Sequence, residues 1–258
     1  MDIRDKVVVV TGGASGIGEA MIHRFDAEGA GALVVIDIDG RGAARVADTV
    51  NGEAFELDVS DDEATRAVLA AVQRRFGRVD ILCCNAGIAT AGSVDAPNDV
   101  WNHTWEVNVM SHVYAVRCVL PGMLERGEGY LVHTASAAGL LTNIGAAPYS
   151  VTKHAVVALA EWLAVTYGDR GIGVSALCPQ FVDTPMLDVF AGNSEEMRQW
   201  VRSIAVSPDD VATTVVRGIA NETFLMLPHP EVETFFRNKG TDYDRWIGGM
   251  QRLRASME

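Results

Sequence analysis

The chain predicts an α/β fold: one doubly wound parallel sheet with helices on both faces. Three observations carry this. Short apolar runs alternate with longer amphipathic stretches along most of the 258 residues, the pattern of a parallel sheet covered on both sides. A glycine-rich turn, TGGASGIG (11–18), joins the first run to the first helix. No internal repeat, low-complexity segment or linker interrupts the alternation.

Seven runs read as strands: 6–11, 32–37, 53–59, 78–87 with its exit loop, 129–136, 173–179 and a short one at 223–228. Helices are expected from Gly16 to Gly29, over about 40–50, from Asp61 to Phe76, over 103–126, from Tyr149 to Gly168, and around 184–204 and 208–220. Glycine after a periodic stretch marks a helix end. Ser60 or Asp61 supplies the N-cap of the third helix. Residues 1–228 read as one domain. Residues 229–258 depart from the alternation and read as a tail of the same domain or of its oligomer interface.

A net charge of −13 argues against nucleic-acid or anionic-membrane surfaces, which need basic patches. No apolar run reaches the length of a membrane span, and the N-terminus runs straight into a strand, with no signal peptide evident. Cys83, Cys84, Cys118 and Cys178 are expected to be reduced and mostly buried. A cytoplasmic location follows from these features. His23, His103, His112, His133, His154 and His229 form no HExxH motif or Cys/His spacing, so no metal is expected. There is no GxSxG nucleophile elbow.

In the turn, glycines let backbone N–H groups approach a pyrophosphate, and the helix N-terminus favours the anion. Such a turn can also be purely structural. Asp37 ends the second strand, 19 positions after Gly18, where a carboxylate can bind ribose hydroxyls and repel a 2′-phosphate. Downstream, Tyr149 and Lys153 are four apart in YSVTK and share a helix face. A phenol whose pKa is lowered by an ammonium is an acid/base tool. Ser136 lies at the C-terminal end of a strand, where ligands gather in open α/β sheets.

These pieces, with LDV around Asp58, NAG (85–87), Asn108 in EVNV and PQFVDT (179–184), resemble the short-chain dehydrogenase/reductase superfamily in order and spacing. The resemblance covers about residues 3–228. It implies a Rossmann-like sheet of seven strands and, commonly, a homotetramer; Asp37 followed by Ile38 rather than arginine points to NAD as the cofactor. By position it implies that Gly12, Ser15, Ile17 and Gly18 wrap the pyrophosphate. Asp37 would hold the adenosine ribose, Asp58 and Val59 flank the adenine, and Asn85 and Gly87 pass beneath the adenosine half. Lys153 would grip the nicotinamide ribose, and Val182 and Thr184 fix the carboxamide. Asn108, Ser136, Tyr149 and Lys153 would be the catalytic set, with Asn108 bending its helix. One departure stands out: Gln180 replaces the family's usual glycine after the proline.

The expected activity is oxidation of a largely apolar secondary alcohol, or the reverse, with Tyr149 as acid/base and Ser136 stabilising the substrate oxygen. The segment after Thr184 carries Met186, Leu187, Val189, Phe190, Met197 and Trp200, residues of a substrate lid or of a helix core. Alternatives are a catalytically idle redox sensor that binds the dinucleotide, or dehydratase or epimerase chemistry. Apolar residues on more than one face of the 103–126 and 149–168 helices point to a two-fold-symmetric homotetramer. Trp246, Ile247, Met250 and Leu253 make one stripe of a tail helix, which packs on its own subunit or crosses to a neighbour.

Overall fold

The structure, a computed structural model, describes residues 1–187, 189 and 195–256. Strands β1 (Val7–Thr11), β2 (Ala32–Asp37), β3 (Glu53–Glu56), β4 (Ile81–Cys84), β5 (Gly129–Thr134), β6 (Ile172–Leu177) and β7 (Leu225–Met226) form one seven-stranded sheet. Its order is β3-β2-β1-β4-β5-β6-β7, and every pairing is parallel. This is the doubly wound α/β class expected from the sequence. Successive strand residues face opposite sides. Val9, Val34, Ile36, Leu82 and Leu131 enter one core, and Val8, Val10, Val35, Ile81 and Val132 the other. Both faces are covered, which is why the strands read as continuous apolar runs. Cys83 and Cys84 fall in opposite cores, so their thiols point apart, and all four cysteines are free.

The helices are α1 (Gly16–Ala27), α2 (Gly40–Thr49), α3 (Asp62–Phe76), α4 (Asn98–Trp105), α5 (Ser111–Arg126), α6 (Ala138–Leu141), α7 (Ala147–Tyr167), α8 (Glu195–Ile204), α9 (Pro208–Ala220), α10 (Pro230–Thr241) and α11 (Tyr243–Ala255). Asp61 caps α3, its carboxylate accepting from Ala64 N at 2.9 Å. Ser60 instead donates to Asp58.

Several boundaries differ from expectation. Strand β3 stops at Glu56 because Leu57 makes the last bond to β2, at Asp37 O (2.9 Å), before the chain leaves the sheet. The helix expected over 103–126 starts at Asn98 and contains a π-helical turn, Glu106–Met110, before α5. Helix α7 begins two residues ahead of Tyr149, with Pro148 in its first turn, where the missing N–H costs nothing. Strand β7 spans only Leu225–Met226.

The tail contains two helices where one was expected. Helix α10 opens on Pro230 and buries Val232 in the same core as α3, α5 and α7. Its Lys239 donates to Leu140 O at 2.6 Å and lies over the rings of Tyr243 (5.3 Å) and Trp246 (4.9 Å). The first half of the tail therefore docks on its own chain, against α6. The Trp246, Ile247, Met250, Leu253 stripe does lie on a helix, α11, but no residue of α11 is buried. Among the described residues no helix is long and apolar enough to cross a membrane. Phe190 and the side chain of Met197 lie outside the described residues.

The strand order reverses between β1 and β4. Chain connections run one way from β1 through β2 to β3, then return to β4 on the other side of β1. Loops leaving the C-terminal ends of β1 and β4 diverge there and open a crevice.

Candidate active site

A cavity of about 400 Å³ occupies this crevice. Its wall takes in Asp37, Asp58 and Val59 from the β2–β3 side of the sheet, the turn after β1 with Thr184 against it, and Ser136, Tyr149 and Lys153 from the β5 side.

The turn is shaped by backbone approach. Gly12 has φ +66°, and a Cβ there would lie 2.8 Å from Ala86 Cα. Gly16 has φ +54°, and a Cβ there would lie 3.0 Å from Thr184 Cγ2. Ser15 sits at the N-cap of α1, yet its hydroxyl makes no capping bond. With Ile17 it faces the cavity at the positive end of a twelve-residue helix. Gly18 is placed differently from the rest: it is buried behind the turn, off the cavity wall, where a Cβ would collide with the Gly12 carbonyl. Its part is to let α1 pack against the turn.

Asp37 is oriented by two backbone donors. Ala14 N reaches Oδ2 and Asp39 N reaches Oδ1, both at 3.0 Å. Asp58 accepts from the hydroxyl of Ser60 (2.6 Å) and from its N–H (2.9 Å), which hold its carboxyl below the usual range. The Asn85 amide is fully engaged by protein. Nδ2 donates to Thr11 O (3.1 Å) and Gly12 O (3.2 Å), while Oδ1 accepts from Thr134 (3.1 Å). Asn85 thus clips the ends of β1, β4 and β5 together at the crevice. Gly87, Val182 and Thr184 line the cavity as well.

Tyr149 and Lys153 are both buried, one turn apart on α7. Burial pushes the phenol up to about 12, and a hydrogen bond with Ser136 pulls against it. Burial draws the ammonium down to about 8. The expectation that Lys153 lowers the phenol is not met in the protein alone. Its Nζ donates to Thr134 O at 2.9 Å and lies 5.6 Å from the Tyr149 ring centroid, while burial is the largest influence on the phenol. The Ser136 hydroxyl accepts from Ala138 N (3.1 Å) and donates to Pro179 O (3.4 Å).

Asn108 stands behind the wall rather than on it, at the centre of the π turn. The bend expected at this residue is that π turn. Its carboxamide bonds the Ile88 backbone and donates to Thr152 Oγ1 (3.2 Å). A Cβ at Gly87 would lie 3.1 Å from Asn108 Oδ1 and 3.4 Å from Lys153 Nζ. Asn108 and Lys153 are therefore packed against the same glycine.

Gly16, Ile38, Ala86 and Met186 line the cavity too, as does His103, which carried no motif in the sequence. The fold also assembles a Cys/His group that sequence spacing did not show. Cys84 on β4, His112 on α5 and His133 on β5 bring ligand-type atoms within 4.8 Å of one another. The His112 and His133 Nδ1 atoms are 2.9 Å apart, so one carries the proton and the other accepts it. Burial lowers both imidazoles, His133 to about 4, which leaves both neutral at pH 7.

The chain matches the short chain dehydrogenase family over residues 6–195. It is 32% identical to 1-deoxy-11-beta-hydroxypentalenate dehydrogenase of Streptomyces exfoliatus, over 96% of this chain and 91% of that one. It is 34% identical to meso-2,3-butanediol dehydrogenase of Serratia marcescens, over 83% of this chain and 87% of that one. A short chain dehydrogenase/reductase from Burkholderia phymatum, solved in complex with NAD, superposes with a TM-score of 0.84 at 31% identity, covering 95% of this chain and 96% of that one. Matches of this extent include the sheet, the glycine turn and the tyrosine helix together. The chain belongs to the short-chain dehydrogenase/reductase family of oxidoreductases.

Proposed function

We propose that this protein is an NAD-dependent dehydrogenase that interconverts neutral, largely apolar secondary alcohols and their ketones. The observation that carries the reading is the placement of Ser136, Tyr149 and Lys153 on the wall of the same cavity as Asp37.

The cavity suits a dinucleotide. Side chains at Gly12 or Gly16 would strike neighbouring groups, and the uncommitted Ser15 hydroxyl and the α1 N-terminus face a place for an anion. Gly12, Ser15 and Ile17 would hold the pyrophosphate. Asp37 would accept from the ribose hydroxyls, and Asp58 and Val59 would bracket the adenine above Asn85 and Gly87. Val182 and Thr184 would hold the carboxamide, and Lys153 the second ribose. Asp37 favours NAD because a 2′-phosphate would meet its carboxylate. Arg45, which reaches the same turn through Ala14 O, is committed to Glu19 at 2.7 Å.

The bound nicotinamide supplies the hydride acceptor or donor. Tyr149 removes the hydroxyl proton as the alcohol is oxidised, and returns it in reduction. Ser136 donates to the substrate oxygen and stabilises its developing charge. Lys153 and the positive charge of an oxidised nicotinamide would together favour the Tyr149 phenolate. On the substrate side the wall is apolar, with Ile88, Pro185, Met186 and Leu187 and no carboxylate or arginine among the described residues. That lining supports an uncharged substrate.

A panel of secondary alcohols with NAD or NADP, followed by the absorbance of reduced nicotinamide, tests the reading. Turnover with NAD that disappears in Tyr149→Phe is expected. Failure of every alcohol and ketone in the panel with both cofactors would overturn it.

A further inference from the structure

Gln180 lines the same cavity as Ser136 and Tyr149. Its backbone is anchored on every side. Gln180 N donates to His229 Nδ1 (3.1 Å), which fixes the tautomer, and His229 Nε2–H then donates to Phe181 O (3.0 Å). Pro179 O accepts from Ala137 N (2.7 Å). Val206 N donates to Phe181 O, and Asp183 N to Val206 O, both at 3.0 Å. The Gln180 side chain, in contrast, makes no hydrogen bond among the described residues.

A carboxamide on a fixed backbone, with no bond of its own and in a cavity also lined by Ile88, Pro185, Met186 and Leu187, is available to a ligand. An amide half-removed from water without a partner is unfavourable, and a ligand atom that bonds it recovers that loss. Carboxamides offer donors and an acceptor but no charge, so they read hydroxyls and carbonyls. The carboxylates on the cavity wall, Asp37 and Asp58, belong to the β2–β3 side of the sheet, across β1 and β4 from the Ser136 strand. Pro179 O accepts from Ala137 N and from the Ser136 hydroxyl, which ties the backbone before Gln180 to the Ser136 loop.

We infer that the Gln180 carboxamide hydrogen-bonds a second, uncharged oxygen of the substrate. The substrate class narrows to neutral secondary alcohols that carry a further hydroxyl or carbonyl close to the carbinol. The inference rests on the dehydrogenase reading above and sharpens it.

Matched substrates test it: cyclohexanol against cyclohexanediols with the second hydroxyl on the adjacent or next carbon, assayed with wild type and Gln180→Leu. In wild type, at least one diol is expected to exceed cyclohexanol in kcat/KM by about tenfold or more. Gln180→Leu is expected to lower that diol's kcat/KM about 10- to 100-fold, the scale of one hydrogen bond in an apolar pocket, and to leave cyclohexanol within about threefold. NAD affinity, measured by fluorescence titration, should be unchanged, which also shows that the variant is folded. Equal losses on both substrates, or a weakened NAD complex, would place Gln180 on the cofactor and overturn the inference. Turnover of cyclohexanol without any diol preference in wild type would overturn it alone. Absence of turnover with every alcohol would overturn the dehydrogenase reading along with it.

Discussion

Asn108 and Ile88 close a paired hydrogen bond: Oδ1 accepts from Ile88 N at 2.8 Å, and Nδ2 donates to Ile88 O at 3.0 Å. The pair joins the π turn to the loop after β4. It holds in place the segment whose Gly87 packs against Lys153.

Asn108→Ala removes both partners of the Ile88 backbone. It should cost about 1–3 kcal/mol in urea unfolding and lower kcat at least about tenfold, since Lys153 loses its backing. Asn108→Asp retains an acceptor for Ile88 N–H but no donor for Ile88 O, and should fall between the two. Wild-type stability in Asn108→Ala would show that the pair contributes nothing.

Tyr149→Phe should reduce turnover about 10²–10⁴-fold, the usual share of a placed proton-transfer group, with NAD affinity nearly intact. Lys153→Ala should damage both. Because burial holds the Tyr149 phenol up near 12 and Ser136 opposes it, the protein alone should form no tyrosinate at this residue at neutral pH. Oxidation needs the phenolate, so its rate should climb with pH. The apparent pKa should drop below that of free tyrosine once the oxidised nicotinamide adds its charge. A pH-independent oxidative rate, under conditions where hydride transfer limits, would contradict a phenolate base.

NAD should be preferred over NADP by on the order of 2–4 kcal/mol in kcat/KM, the loss of the Asp37 ribose contact plus a carboxylate–phosphate clash. The double change Asp37→Ala, Ile38→Arg should narrow or reverse the preference. Equal efficiency with the two cofactors would refute it.

His229 accepts from Gln180 N–H only when neutral. Burial lowers its pKa, against the smaller opposing effects of the Phe181 carbonyl and of Glu231. Protonation converts Nδ1 into a donor facing a donor and is disfavoured in the folded state. The bond therefore stays intact through the ordinary histidine range and is lost only as pH falls below it, with KM rising on the acid side. His229→Asn, whose amide can accept from Gln180 and donate to Phe181 without titrating, should restore activity lost in His229→Ala and flatten that acid limb. A wild-type acid limb in His229→Asn would assign the limb to another group.

A homotetramer is expected because the outer side of α7 is apolar and uncovered. Val151, Trp162 and Val165 are 49%, 58% and 86% exposed. An apolar face of this kind on a helix already packed against the sheet calls for a second copy. Sedimentation at micromolar concentration would show a monomer if the face has no partner, and Trp162→Glu should weaken the assembly.

The strands and the glycine turn were legible because burial on both faces leaves an unbroken apolar signature. Tyr149, Lys153 and Ser136 were legible because their spacing survives any detail of packing. The π turn was not: an extra residue in a helical turn at Asn108 leaves no trace in apolar periodicity. Helix α10 was hidden because Val232 and Lys239 are its only buried residues, too few to make a stripe, although Pro230 marked its start. His229 and the Cys84, His112, His133 group depend on residues brought together across the sheet, which no local pattern encodes.

The proton between His112 and His133 lies at the centre of the molecule, with neither ring open to solvent. It can exchange with water only when β4, β5 and α5 separate. Such a proton gives a downfield magnetic resonance signal of its own, apart from the crowded amide region. Its lifetime would clock how often the middle of the sheet opens, and the difference on adding a dinucleotide would measure how firmly a bound cofactor bolts the two halves of the sheet together.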